Sequence, residues 1–230
     1  MSAVVVFDLD DTLYLERDYV RSGFKAVDDY LQVKKIDGFF TVAWIFFQNG
    51  GRGNTFNVVL EKLGVAYDTQ LIQQLIRVYR AHRPEILLAP DAEEILIALQ
   101  NHYRLGLITD GFSVSQNQKI KSLKLEKYIK KIVVTDDLGS ERQFWKPHVK
   151  PYEVIRDYYG VEHQDCIYVG DNVKKDFISA KKLGWKTIRI AREGAEYKSL
   201  DFGCEHQAEY DIGSLKELKG IINCFDRVNS

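Results

Sequence analysis

Cysteine is scarce in this 230-residue chain: there are three, Cys166, Cys204 and Cys224, far apart and with no CxxC pair. That scarcity excludes a disulfide framework and a zinc ribbon, and it suits a reducing cytosol, the compartment we expect. Cys166, inside the apolar run CIYV, reads as a buried strand residue. An excess of positive charge is also missing, because Lys and Arg number 32 against 33 Asp and Glu, for a net charge of −1. Such a balance does not grip a nucleic-acid polymer non-specifically or hold an anionic membrane surface. The longest apolar stretch, Phe39 to Phe47, is nine residues interrupted by Thr41, well short of the ~18 needed to cross a bilayer. The N-terminus has no basic region followed by a long apolar run and a small-residue cleavage site, so no secretory signal is expected. No internal repeat or low-complexity tract is visible.

Apolar residues make up 45% of the chain and charged residues 28%, enough to bury a core. The run Ala3 to Phe7 is apolar throughout and centred on three β-branched valines, as expected of a strand buried on both faces in a parallel sheet. Four further runs share that character: Leu105 to Ile108, Ile132 to Val134, Ile167 to Val169 and Thr187 to Ile190. Helical patterns separate them. Asp91 reads as an N-cap with an acid, Glu94, three residues on, followed by Ile95, Leu96 and Leu99 on one face. Pro151 can open a helix whose inner side carries Val154, Ile155 and Tyr158. Val173, Phe177 and Ala180 form a third stripe, closed by Gly184. Strand alternating with helix predicts an α/β fold, a Rossmann-like three-layer core with a parallel sheet.

Residues 15–89 break the rhythm. Val20, Phe24, Val27 and Leu31 recur at helical spacing, as do Leu71, Ile72, Leu75, Ile76 and Tyr79, with no convincing strand between them. They predict an all-helical insertion placed after the first strand, with residues 1–14 and 90–230 forming the core. Gly50-Gly51-Arg52-Gly53 is a turn-rich break inside the insertion. It lacks the preceding strand and third glycine of a dinucleotide fingerprint. Phe39, Phe40, Trp44, Phe46 and Phe47 are expected in a core or at an interface.

The densest chemical signal is Asp8-Leu9-Asp10-Asp11-Thr12, four polar residues out of five directly after a buried strand. Open α/β sheets place ligands outside the carboxyl ends of their strands, so this cluster is a candidate site. Two other strand ends carry polar groups: Thr109-Asp110-Gly111, and Gly170-Asp171-Asn172 followed by Asp176. Asp171 is placed at the start of the next helix, where a plain N-cap is the alternative role. Lys146-Pro147 sets a cation just ahead of a helix.

Together and in this order, these segments resemble the haloacid dehalogenase superfamily of hydrolases. DLDDT matches its first motif, the strand ending in Thr109 its second, Lys146 its third, and GDNVKKD (Gly170 to Asp176) its fourth. Lys150-Pro151 repeats the Lys-Pro pair, but Lys146 has Tyr152 six positions on, where the family commonly has an aromatic residue. Val149 departs from the pattern, standing where a proline is common. The insertion is similar to the helical cap of the family's first subclass. Within the cap, Arg52 is the candidate to reach a polar substrate, and hinges are expected near Tyr14 to Glu16 and Leu88 to Pro90.

The resemblance implies a Mg²⁺-dependent phosphatase acting on a small-molecule phosphomonoester through an aspartyl-phosphate. Asp8 would be the nucleophile and Asp10 the general acid and base. Thr109, Asp110 and Gly111 would bind the phosphoryl oxygens together with Lys146. Asp8, Asp171 and the backbone carbonyl of Asp10 would hold the metal, with Asp176 and Asn172 standing behind them. Acidic Asp10 favours phosphate esters over halides, since dehalogenases of the family usually lack an acid there. A phosphomutase using the same intermediate and a non-catalytic scaffold are the alternatives. The chain is expected as a monomer or homodimer.

Overall fold

In the computed structural model, which describes residues 3–195 and 202–228, six strands and nine α-helices account for most of the chain. The strands are β1 (Val4–Phe7), β2 (Arg104–Thr109), β3 (Lys131–Val134), β4 (Cys166–Gly170), β5 (Lys186–Ile190) and β6 (Tyr210–Ile212). The helices are α1 (Glu16–Gln32), α2 (Phe39–Gln48), α3 (Thr55–Lys62), α4 (Thr69–Ala81), α5 (Pro90–Leu99), α6 (Ser113–Ser122), α7 (Lys150–Tyr159), α8 (Phe177–Lys182) and α9 (Leu218–Val228). The fold divides into two compact units: one runs to Glu16 and resumes at Leu87, and the other is Arg17–Ile86.

The first unit is a single parallel sheet in the order β3-β2-β1-β4-β5-β6, flanked by helices. β1 is wholly buried because it is central, with Val5 paired to Leu105 on one side and Ile167 on the other. The strand order reverses between β1 and β4, and that switch point opens a crevice beyond their carboxyl ends. Beneath it lies a core of Val6, Tyr152, Tyr168, Phe177 and Trp185, all buried. Cys166 is buried in the same cluster.

Three local expectations are corrected, and one strand is added to the five expected. Asp91 does not cap α5: Pro90, whose ring presets φ and which has no N–H to satisfy, is the first helical residue and Ala89 the cap, two positions ahead of Asp91. The Asp91 carboxylate instead pairs with Arg192 at 2.9 Å and accepts from Ser214 Oγ at 3.0 Å and Leu215 N at 2.9 Å. In α7 Val154 and Ile155 pack on the core as expected, with Pro151 and Tyr152 buried beside them, while Tyr158 is exposed, with Lys131 Nζ 5.2 Å from its ring centroid. Tyr152 turns inward because its hydroxyl donates to the Asp176 carbonyl at 2.9 Å. Asp171 is not a helix cap, because the chain passes through a turn from Gly170 and α8 begins only at Phe177. Finally, β6 extends the parallel sheet beyond β5, though its three residues, two of them exposed, carry no apolar run.

The Arg17–Ile86 unit contains no strand among its residues, and α1 through α4 pack around their own core. Val20, Phe24, Val27 and Leu31 of α1 meet Phe39, Ala43 and Phe47 of α2, Val59 and Leu60 of α3, and Leu75 of α4. Arg52 is committed within this unit. Its guanidinium lies 3.8 Å from the centroid of the Phe47 ring and donates to the carbonyls of Phe47 at 2.8 Å and Gly51 at 2.7 Å. The bond to Phe47 reaches a carbonyl in the last turn of α2, where the helix leaves acceptors without intrahelical partners, and the bond to Gly51 holds the turn that follows. No helix among the described residues is long and apolar enough to cross a membrane.

Candidate active site

The three acids that follow β1 are sent in different directions. Asp8 N donates to Val169 O at 2.8 Å, extending the pairing with β4 and leaving the Asp8 side chain buried in the crevice. A tight turn follows, closed by Leu13 N on Leu9 O at 3.0 Å and by a backbone bridge between Asp10 and Tyr14. Asp11 takes a positive φ of 55° in that turn, and its carboxylate accepts from Glu16 N at 2.8 Å. Asp10 is thereby turned toward α6.

Lys146 reaches the crevice from the loop ahead of α7, whereas Lys150 is exposed at the start of that helix. Its ammonium lies 2.5 Å from Asp8 Oδ1 and 2.7 Å from Asp176 Oδ1, and it donates to the Tyr168 hydroxyl at 2.9 Å. Burial disfavours its charge, but Asp176 and Asp8 outweigh that effect and hold it firmly protonated. One oxygen each from Asp8, Asp171 and Asp176 fall within 4.8 Å of one another. Burial is the main force raising the Asp8 carboxyl, to about 7, with Lys146 opposing the shift and Asp176 adding to it. Burial, then Asp176 and Asp8, push Asp171 well above the usual carboxylate range.

Two glycines give this cluster its shape. A Cβ on Gly170 would lie 2.5 Å from Asp176 Oδ2, the oxygen that accepts from Asn172 N at 2.8 Å. At φ 140°, Gly111 permits the turn after β2, and a Cβ there would lie 2.8 Å from the Gln116 amide carbon.

At the end of β2, Thr109 and Asp110 are buried. The Asp110 carboxylate binds structural partners from three directions: Thr135 Oγ1 at 2.8 Å, Lys146 N at 3.0 Å and Lys175 Nζ at 3.0 Å. Burial pushes its carboxyl upward, but Lys146 and Lys175 prevail and hold it below the ordinary range. The Asp110 side chain therefore ties the loops after β2, β3 and β4 together.

Asp8, Lys146, Asp171 and Asp176 thus converge, while Asn172 contributes its backbone N–H to Asp176. The Asp10 carboxylate stands apart from that group, held by Lys119 at 2.7 Å, by Gln116 at 2.9 Å and by the Tyr14 hydroxyl. Burial would raise the Asp10 carboxyl, yet the Lys119 charge and the bonds from Lys119, Tyr14 and Gln116 lower it. Lys119, Gln116, Tyr14, Lys175 and Tyr168 escape sequence reading. The available signal is α6 itself, whose sequence SVSQNQKIKS is polar yet has Ser115, Gln116 and Lys119 buried.

The donors suit a hard divalent cation: three carboxylates are gathered, and Asp171 Oδ2 is buried with no hydrogen-bond partner among the described residues. A parallel α/β sheet with clustered acids at its switch point defines a class of enzyme, and a family profile described as haloacid dehalogenase-like hydrolase matches residues 5–190. The chain belongs to that family and is a hydrolase. Similar curated proteins include a glyceraldehyde 3-phosphate phosphatase of Methanocaldococcus jannaschii, 28% identical over 226 residues covering 95% of this chain and 96% of the relative. An N-acylneuraminate-9-phosphatase of Mus musculus is 26% identical over 170 residues, covering 73% of this chain and 65% of its own. Among solved structures, the HAD-hydrolase YfnB of Bacillus subtilis, bound to magnesium, has a TM-score of 0.69 at 21% identity. It is matched over 96% of this chain and 99% of that one, and at this identity the likeness concerns the fold.

Proposed function

We propose that this chain is a Mg²⁺-dependent phosphatase that hydrolyses a small-molecule phosphomonoester through a phosphorylated Asp8. One observation carries the reading: a buried nucleophile candidate, Asp8, shares its crevice with Lys146 and with two further carboxylates, one of which has an unpartnered oxygen. Asp8, Asp171 and the Asp10 carbonyl would hold the cation, with Asp176 and Asn172 behind them. Bound there, Mg²⁺ supplies positive charge that offsets the repulsion between anionic Asp8 and an anionic ester.

A carboxylate oxygen of Asp8 attacks phosphorus, the ester P–O bond breaks, and Asp10 gives a proton to the departing alkoxide oxygen. Water then attacks the aspartyl-phosphate, Asp10 takes its proton, and inorganic phosphate leaves with Asp8 regenerated. Lys146 balances charge beside Asp8 throughout. Thr109 and the backbone around Asp110 and Gly111 orient the non-bridging oxygens, where preorganised donors matter most. The Arg17–Ile86 unit would serve as the cap that selects the organic part of the substrate. Relatives named as phosphatases of glyceraldehyde 3-phosphate and of N-acylneuraminate 9-phosphate support the phosphoester chemistry. They make triose and sugar phosphates the first substrates to test.

The test is phosphate release from glyceraldehyde 3-phosphate, sugar phosphates and p-nitrophenyl phosphate with Mg²⁺ or with chelator, alongside mass analysis of acid-quenched protein. Mg²⁺-dependent phosphate release and one PO₃ on the Asp8 peptide are expected. A rearranged phosphosugar without free phosphate would replace hydrolysis by mutase chemistry. Absence of turnover with every ester would return the protein to a scaffold role.

A further inference from the structure

Helix α6 carries polar residues where a helix packed against a protein normally carries apolar ones. Gln116 and Lys119 are three positions apart, so they share a face, and both are buried. Their polar ends meet on Asp10. Lys119 Nζ lies 2.7 Å from Asp10 Oδ1, the oxygen that also accepts from the Tyr14 hydroxyl. Gln116 Nε2 is shared among Asp10 Oδ2 at 2.9 Å, Thr109 Oγ1 at 2.5 Å and the Asp110 carbonyl at 2.9 Å. A primary amide has only two hydrogens for those three acceptors. Oδ1 is therefore firmly occupied, and Oδ2 is the less committed oxygen.

We propose that Lys119 and Gln116 are positioning residues that fix the Asp10 carboxyl so that Oδ2 is the oxygen exchanging protons with the ester and with water. The inference rests on the reading of Asp10 as general acid and base, and it goes beyond that reading by assigning the oxygen and the helix that aims it. In the first half-reaction the ester enters as its monoanion, and Oδ2 takes the phosphoryl proton and passes it to the ester oxygen as its bond to phosphorus breaks, leaving Asp10 a carboxylate again. In the second, the same oxygen receives a proton from water as the new P–O bond forms. Lys119 neither gives nor takes a proton in either step; its ammonium keeps Oδ1 turned away from the ester. Gln116 couples that orientation to Thr109, so the acid and the phosphoryl-binding loop keep a fixed separation. Burying a lysine is unfavourable unless it is paired, and Asp10 Oδ1 at 2.7 Å supplies a partner here.

Leaving groups separate positioning from general damage. An alkyl phosphate needs its departing oxygen protonated, whereas dinitrophenolate departs without a proton. We would compare kcat/KM for glycerol phosphate and 2,4-dinitrophenyl phosphate in the full-length wild type and in Lys119→Met, Lys119→Arg, Gln116→Met and Asp10→Asn, with thermal melts and Mg²⁺ titrations for each. General acid–base catalysis is worth roughly 10²–10⁴-fold. Lys119→Met should accordingly lose about 10–100-fold on the alkyl ester and no more than about threefold on the dinitrophenyl ester, and Lys119→Arg should restore much of the difference. Adding Lys119→Met to Asp10→Asn should leave the ratio between the two esters unchanged. Gln116→Met should show the same selective loss and supplies the test if Lys119→Met does not fold. Equal losses on both esters in folded Lys119 and Gln116 variants, with selective loss kept in Asp10→Asn, would overturn the positioning role while sparing the proposed function. An Asp10→Asn variant without selective loss would overturn the acid–base reading and this inference with it.

Discussion

Replacing Asp8 by Asn tests whether the crevice is arranged for ligand binding or for stability, because the two accounts predict opposite signs. Read as a buried salt bridge, the 2.5 Å contact between Lys146 and Asp8 should support the fold, and removing one partner of such a pair typically costs about 3–5 kcal/mol. The electrostatics of the whole cluster point the other way. Burial and Asp176 push the Asp8 carboxyl from 3.8 to about 7 despite Lys146. A carboxyl raised in the folded state costs nothing below the unfolded pKa, where both states hold the proton. Its cost grows as pH rises toward the folded value and is constant above it. Between 3.8 and about 7 that amounts to on the order of 4 kcal/mol of lost stability. Lys146 keeps Asp176 at 2.7 Å and Tyr168 at 2.9 Å in the variant, so it is not left unpaired. Asp8→Asn should thus be more stable than wild type above pH 7, by up to about 4 kcal/mol, or several degrees in Tm. The difference should shrink toward pH 4. Urea and thermal denaturation in chelator at pH 4, 5, 6, 7 and 8 measure it, and turnover should fall by orders of magnitude. A variant less stable than wild type at pH 8 would refute the argument.

Three further outcomes are expected. Lys146→Ala should reduce kcat/KM far more than Lys150→Ala, because only the former ammonium enters the crevice; steady-state kinetics with Mg²⁺ decide, and the reverse ranking would reassign the third motif. Mg²⁺ affinity should fall below pH 7 by about tenfold per pH unit for each proton displaced, since Asp8 titrates near 7 without the cation. Calorimetry in buffers of different ionisation enthalpy should therefore register proton release on binding, and pH-independent affinity from pH 5 to 8 would contradict the assignment. Asp91→Ala should destabilise the sheet unit by about 2–4 kcal/mol at pH 7, leaving Arg192 without its buried partner. Burial alone would raise the Asp91 carboxyl, but Leu215 N–H and Arg192 lower it. Its contribution is thus present above about 3.8 and fades as pH falls below that range, as paired denaturation curves of the variant and wild type should register.

The sheet was legible in the sequence because its first five strands are apolar on both faces, and a parallel sheet covered by helices demands that pattern. β6 was not, since an edge strand of three residues with Tyr210 and Asp211 exposed needs no apolar run. Asp91 and Tyr158 were misplaced for a related reason. Local rules assign an acid near a helix start to capping and an aromatic at helical spacing to the core. Partners 101 residues away in one case, and the pull of Tyr152 toward Asp176 in the other, decide where these side chains point. The acidic motifs stood out because consecutive charges after a buried strand are costly without a shared purpose.

Helix α6 defeats sequence reading for a deeper reason. Periodicity methods detect a buried helix face because burial normally selects apolar side chains, so a helix that packs against a charged site presents no stripe. Ser115, Gln116 and Lys119 have the burial of core residues and the composition of surface ones. That combination is tolerable only if each polar end finds a partner, since an unpaired buried ammonium would cost several kcal/mol. Partners within hydrogen-bond reach, supplied by the end of β1 and the end of β2, meet that condition for Gln116 and Lys119. A polar helix directly after a strand that ends in a site is therefore better read as a wall of that site than as a solvated surface. Its buried donors then identify the acids it serves.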